Sequence, residues 1–364
     1  MRLSSLRCSV VLAVCALAMT LVACNTPQPN PEIMLYRTLE HDGLQREFFV
    51  HVPANANSES PLVVVLHGFT STATGFATMH DLNRFADDHG FIAVYPQGSH
   101  FTENDSGKPF RVTSWNFFAD TKPAPDAGPM CTDEAAQYTC PPSCGECDRC
   151  DWATCNDDLG FFDKLFAELE SEFEYDRDRV YMFGESNGGM MMFRLACDRS
   201  EKFAAVASLI AQMPAGYACT PSTNLPLLVR YGGIDDLVRA DGKPGGDDGF
   251  IYTSVAETTG RWAKKLSCTS GPAPWQSEYA ETAGLECSSY GGCAIPGHEV
   301  VSCENPGAWH QWTEQLYEGW DARCANAQQL ALMPGQMACP PLPQDRSTRG
   351  MDVIWEFLSK YRRE

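Results

Sequence analysis

Short unbroken apolar runs and longer amphipathic stretches alternate along most of this chain. Pro61–Leu66, Phe91–Pro96, Val180–Phe183, Phe203–Ile210 and Leu225–Tyr231 are the short runs. Such runs suit strands covered on both faces, as in a parallel sheet. Between them, Asp81–His89 puts Leu82, Phe85 and Ala86 on one side. Asp157–Phe173 spaces Phe161, Phe162, Leu165, Phe166, Leu169 and Phe173 at helical intervals, with Asp157 and Asp158 suited to a first turn. This aromatic stripe is read as core rather than as a cofactor site. Met190–Ala196, Ser254–Leu266 and Met351–Tyr361 read as further helices. Strand–helix–strand alternation requires right-handed parallel crossovers.

The ends depart from that rhythm. Ile33–Arg37 and Gln45–Val52 flank Asp42-Gly43, a hairpin signal. Phe48, Val50 and Val52 alternate with Phe49 and His51, as an outer antiparallel strand would. Trp275–Ala280 and Glu299–Cys303 are expected as late strands. From Gly98 to Asn156 regular patterning stops. That stretch holds Cys131, Cys140, Cys144, Cys147, Cys150 and Cys155 among Pro, Asp and Gly, so an inserted, stapled segment is expected at about 119–156.

Composition bears on compartment. Arg2 and Arg7 precede the apolar run Val10–Val22, which ends in Leu21-Val22-Ala23-Cys24. This reads as a lipoprotein signal over 1–23, lipidation at Cys24, an extended tether over 24–32, and one catalytic domain over 33–364. An ordinary secretory signal is the alternative. Of 17 cysteines, Cys8, Cys15 and Cys24 fall in the leader, leaving an even fourteen. An even set in an exported chain reads as disulfides. The spacing of Cys144, Cys147 and Cys150 also admits a metal, the weaker reading. A net charge of −20 argues against nucleic acid as a partner.

The chemistry centres on Gly184-Glu185-Ser186-Asn187-Gly188, set between a strand and a helix. This is a nucleophile elbow, whose tight turn requires glycine two residues either side of the serine. A serine hydroxyl needs a base, and the base needs an acid to fix its tautomer. On such an elbow the partners follow in the order acid, then histidine. His310, between Trp309 and Trp312 in a glycine-led loop, is favoured over His298. Asp235, just after the run Leu225–Tyr231, is favoured, with Asp236 as fallback. The backbone N–H groups of Phe69 and Asn187 are candidate oxyanion donors. His67 reads as structural. Trp115, Trp309 and Trp312 are candidates to stack against a sugar or phenolic ring.

VLHGFTSTATGF, SWN, NDDLGFFDKLF, DRDRVYMFGESNGGMMMFRLAC, VRYGGIDDLV and WHQW together resemble the polyhydroxybutyrate depolymerase and feruloyl/acetylxylan esterase family over about Arg46–Trp312. The resemblance implies an α/β-hydrolase fold: a mostly parallel central sheet with helices on both faces, here with the cysteine-rich insertion. It implies a serine esterase without cofactor, with Ser186, Asp235 and His310 as triad and Phe69 and Asn187 as oxyanion donors. The acid loop GGIDDLVR and histidine loop PGAWHQW depart from the family's usual GTxDxxVP and GGGHxWP. The insertion lies where family members are often short.

The expected function is hydrolysis of carboxylic esters outside the cytoplasm. The substrates would be feruloyl or acetyl polysaccharide esters or polyhydroxyalkanoates, and the membrane would be met only through the lipid anchor. No metal is expected. The alternatives are a silent binding or adhesion protein on a hydrolase scaffold, or a serine peptidase.

Overall fold

The computed structural model describes residues 34–105, 108–119, 121–312, 323–332, 336–341 and 349–363. The leader, Cys24 and the tether lie outside the described residues.

In chain order the elements are β1 (Leu35–His41), β2 (Leu44–His51), β3 (Leu62–Leu66), α1 (Ala73–Met79), α2 (Leu82–His89), β4 (Ile92–Pro96), β5 (Ser99–Asp105), β6 (Lys108–Ser114), α3 (Asp158–Glu172), β7 (Val180–Glu185), α4 (Asn187–Asp198), β8 (Ala205–Leu209), β9 (Leu227–Gly232), α5 (Val255–Lys265), β10 (Ser270–Pro274), β11 (Glu286–Gly291), β12 (Val300–Asn305), α6 (Ala327–Leu332) and α7 (Arg349–Leu358).

One sheet runs β1-β2-β4-β3-β7-β8-β9-β12-β11-β10, and β5 and β6 form a separate hairpin. The pairs β4–β3, β3–β7, β7–β8, β8–β9 and β9–β12 are parallel; the outer pairs are antiparallel. This is an α/β-hydrolase fold. Its unbroken apolar strands make sense because both faces are covered. Leu62, Val64 and Leu66 of β3 join the core under α3, α4 and α5, while Val63 and Val65 join the core under α1, α2 and α7. The ends of β3, β7, β9 and β12 therefore meet along one rim.

Several expectations need correction. β2 is not the outer strand: β1 takes the edge, and Phe48 and Phe49 are buried on opposite faces. Trp275–Ala280 is not a strand; the strand is Ser270–Pro274, and β11 beyond it has no apolar run to announce it. The β5–β6 hairpin and the seven-residue α1 also went unforeseen. His100, Thr102, Glu103 and Asn104 give β5 almost no apolar pattern, and α1 is fixed by its Thr72 cap rather than by periodicity.

The fourteen cysteines pair as seven disulfides. Three are internal to the insertion: Cys131–Cys150, Cys140–Cys147 and Cys144–Cys155. The three cysteines with metal-like spacing therefore belong to three different bridges. Cys197–Cys219 pins α4 to the following loop, and Cys268–Cys293, Cys287–Cys303 and Cys324–Cys339 staple the late elements. Among the described residues no helix is long and apolar enough to cross a membrane.

Candidate active site

Strand β7 ends at Glu185 and helix α4 begins at Asn187, leaving Ser186 alone at the turn with φ 51° and ψ −120°. A non-glycine residue is strained there, and the strain holds because the surroundings fix it. A Cβ on Gly184 would lie 2.3 Å from the Gly188 carbonyl oxygen. One on Gly188 would lie 2.4 Å from the carbonyl oxygens of Leu66 and His67. Both glycines are thus required by close backbone approach. The Ser186 N–H donates to the Leu209 carbonyl at 2.9 Å, tying the turn to β8.

Two loops at neighbouring strand ends bring the other groups in. A Cβ on Gly232, at the end of β9, would lie 2.3 Å from the Trp309 carbonyl oxygen, and Ile234 N–H donates to Ala308 O. The loops after β9 and β12 are therefore pressed together. His310 Nε2 lies 3.0 Å from Ser186 Oγ, and its Nδ1 lies 2.8 Å from Asp235 Oδ2. The Asp235 side chain is fully buried. Its Oδ1 accepts the N–H groups of Leu237 and Val238, both at 2.9 Å. Three donors hold this carboxylate, which offsets the cost of burying it. Asp236 instead forms a half-exposed ion pair with Arg239 at 2.6 Å. His298 packs against Tyr361.

This arrangement can move a proton. With Nδ1–H donated to Asp235, Nε2 is free to take the Ser186 proton as the oxygen attacks an electrophile. The N–H groups of Phe69 and Asn187 have no protein acceptor among the described residues. The Asn187 side chain is occupied elsewhere: Oδ1 accepts Trp115 N–H at 2.7 Å and Nδ2 donates to Trp115 O. This pair anchors the SWN loop to the elbow.

His67 is structural. Its Nδ1–H donates to Gly68 O at 2.8 Å, and Nε2 accepts from Gly98 N–H at 2.9 Å and from the Gln97 amide at 3.0 Å. Burial pushes its pKa down to about 4.

Glu185 is the residue that sequence reasoning missed. Its carboxylate accepts the Trp312 indole N–H at 2.6 Å and lies 3.6 Å from His80 Nε2. Burial alone would push it up. His80 first, then Trp312 and the charge of His310, hold it below the usual carboxylate range. The available signal was a carboxylate at the end of a buried strand, which demands partners.

The three tryptophans separate. Trp115 is sealed in the core, its indole N–H on His67 O and its ring against His67 and Phe162. Trp312 is buried against His80 and Phe76. Neither ring has a face left for a substrate, which corrects the stacking role expected for them. Trp309 is 46% exposed, beside His310.

The insertion reaches this rim. Trp152 and Tyr138 meet the Phe69 ring edge-on, at 5.0 and 5.8 Å. Its backbone joins the loop after β9 through Thr132 N–H to Gly249 O and Ala136 N–H to Asp248 O. Among the described residues no group of three or more His, Cys, Asp or Glu could hold a metal.

With this geometry in view, the chain can be compared with known proteins. No family model matches it. It is 29% identical over 268 residues to "Putative esterase NocK" of Nocardia uniformis subsp. tsuyamanensis, covering 69% of this chain and 65% of that protein. It is 24% identical over 292 residues to "Feruloyl esterase B" of Piromyces equi, covering 76% of this chain and 44% of the other. Both relatives carry esterase names. The chain spans less than two thirds of each relative's length. A solved acetyl xylan esterase from Aspergillus awamori superposes with a TM-score of 0.48 at 16% identity, covering 76% of this chain and 94% of that one.

Proposed function

We propose that this protein is a serine esterase that hydrolyses carboxylic esters through an acyl-enzyme. Ser186 attacks the ester carbonyl as His310 takes its proton. The N–H groups of Phe69 and Asn187 receive the charge that develops on the carbonyl oxygen, and the N-terminal end of α4 adds to that field. His310 then returns the proton to the leaving alcohol, and water repeats the sequence to release the acid. Asp235 holds the imidazole in the tautomer this requires. The observation that carries the reading is His310 bridging Ser186 at 3.0 Å and Asp235 at 2.8 Å.

Relatives named feruloyl esterase and probable acetylxylan esterase favour feruloyl or acetyl esters as substrates; polyhydroxyalkanoates rest on the resemblance of the sequence motifs alone. Seven disulfides favour an oxidising compartment outside the cytoplasm. Lipidation at Cys24 would hold the enzyme on a membrane surface. Of the three tryptophans, Trp309 is the one left exposed to touch a bound substrate.

The test is labelling of the purified protein with a fluorophosphonate, beside Ser186→Ala. Labelling that vanishes in the variant, with ester turnover lost alongside, is the expected result. Folded wild type that neither labels nor turns over any ester would overturn the reading.

A further inference from the structure

We propose that Tyr138, carried by the disulfide-stapled insertion, is a specificity-determining residue of the Ser186 site: with Phe69 and Trp152 it forms an aromatic wall that favours esters of flat aromatic acids over acetyl esters. This rests on the esterase reading and deepens it.

Phe69 carries the first ring, and its backbone stands beside the elbow: a Cβ on the preceding Gly68 would lie 3.5 Å from Ser186 Cβ. That ring points into the insertion, where Trp152 and Tyr138 meet it edge-on at 5.0 and 5.8 Å. Tyr138 also meets Phe250 at 5.9 Å, on the loop that follows the acid. The three rings thus join the oxyanion turn, the insertion and the acid loop in one surface. Trp152 is buried within it, whereas Tyr138 is 39% exposed.

The alcohol must leave toward His310, which returns its proton. The acyl group stays over the oxyanion donors, on the Phe69 side. An aromatic acyl group there would gain an offset or edge contact with the exposed Tyr138 ring; an acetyl group is too small to reach it. Asp248 links wall to base electrostatically. Its charge, after burial, raises Tyr138, and the charge of His310 acts on Asp248 in turn.

The wall is also held still. Cys131–Cys150 and Cys140–Cys147 close on either side of Tyr138, and Cys131 pairs with Phe250 through the backbone. A side chain fixed in place loses little entropy on binding, which suits a specificity contact.

The test compares kcat/KM for ethyl cinnamate and ethyl acetate, two esters of one alcohol, in wild type, Tyr138→Phe and Tyr138→Ala. Each rate is normalised to the fluorophosphonate-labelled fraction, so unfolded protein does not count. Wild type should prefer the cinnamate. Tyr138→Ala should lower kcat/KM for ethyl cinnamate by about tenfold and for ethyl acetate by less than about twofold. Tyr138→Phe, which keeps the ring, should stay near wild type. Equal losses on both esters, or an unchanged ratio, would overturn the inference. So would wild type that cleaves the acetate and ignores the cinnamate, which leaves the esterase reading intact. Wild type that neither labels nor cleaves either ester overturns the esterase reading itself, and this inference with it.

Discussion

The Trp312 indole donates to Glu185 over 2.6 Å, so the residue before Ser186 is tied to the residue two after His310. The elbow and the histidine loop lie more than a hundred residues apart in sequence, and this bond joins them. Trp312→Phe keeps an aromatic ring there, removes the donor and gives up some packing volume. A buried carboxylate that loses a charge-assisted bond should cost about 1–3 kcal/mol, read as a lower urea midpoint. With His310 held less firmly, kcat should fall while KM changes little. A variant with wild-type stability and kcat would show that the bond positions nothing.

Asp235 and Asp236 are adjacent in sequence and opposite in environment. Asp235 is buried under three donors, one of them His310, while Asp236 pairs with Arg239 at the surface. Asp235→Asn should lower kcat by roughly 10³- to 10⁴-fold, because an amide favours the wrong imidazole tautomer. Asp236→Asn loses a surface ion pair worth about 0–1 kcal/mol at most, and should leave kcat within about twofold. Steady-state kinetics on one ester decides between them, and a larger loss at Asp236 would reverse the assignment.

The central sheet was legible in sequence because its strands are buried on both faces. Pro61–Leu66 and Phe91–Pro96 read as strands, and Leu62–Leu66 and Ile92–Pro96 within them are strands. The elbow was legible because Gly184 and Gly188 have backbone at 2.3 and 2.4 Å where a Cβ would go. What was not legible depends on contacts distant in sequence. Nothing local distinguishes Trp309, open to solvent, from Trp312 and Trp115, whose rings are enclosed by His80 and His67. β10 and β11 have almost no apolar pattern because they lie at the far edge of the sheet, where packing does not select for one. Glu185 was missed because its partners, His80 and Trp312, lie more than a hundred residues away on either side.

Cys197–Cys219 joins the C-terminal end of α4 to the loop before β9, while Ser186 precedes the other end of that helix. Replacing both cysteines by alanine should cost about 2–4 kcal/mol, mainly by freeing the unfolded chain. Ester turnover at 25 °C should stay near wild type, since the elbow keeps its own backbone contacts. Urea denaturation of the double variant measures the first effect, and kinetics on the folded protein the second. An unchanged urea midpoint would mean that the bridge contributes nothing to stability.

His67 makes the turn after β3 sensitive to acid. Its Nε2 must be unprotonated to accept from Gly98 and Gln97, and burial lowers its pKa from 6.5 to about 4. Between those values the unfolded chain binds a proton that the folded chain refuses. Stability therefore falls as pH drops from 6.5 toward 4, by at most about 3 kcal/mol from this residue. His100, also lowered to about 4, acts in the same sense. Asp248, raised by burial, acts in the opposite sense, because its folded form binds a proton more readily. Comparing wild type with His67→Gln isolates His67, since the other groups are shared. The variant should melt lower at pH 7.5 but lose fewer degrees on going to pH 4. Parallel melting curves across that range would mean that His67 does not titrate against folding, and that its two acceptor bonds do not set the acid limit of this turn.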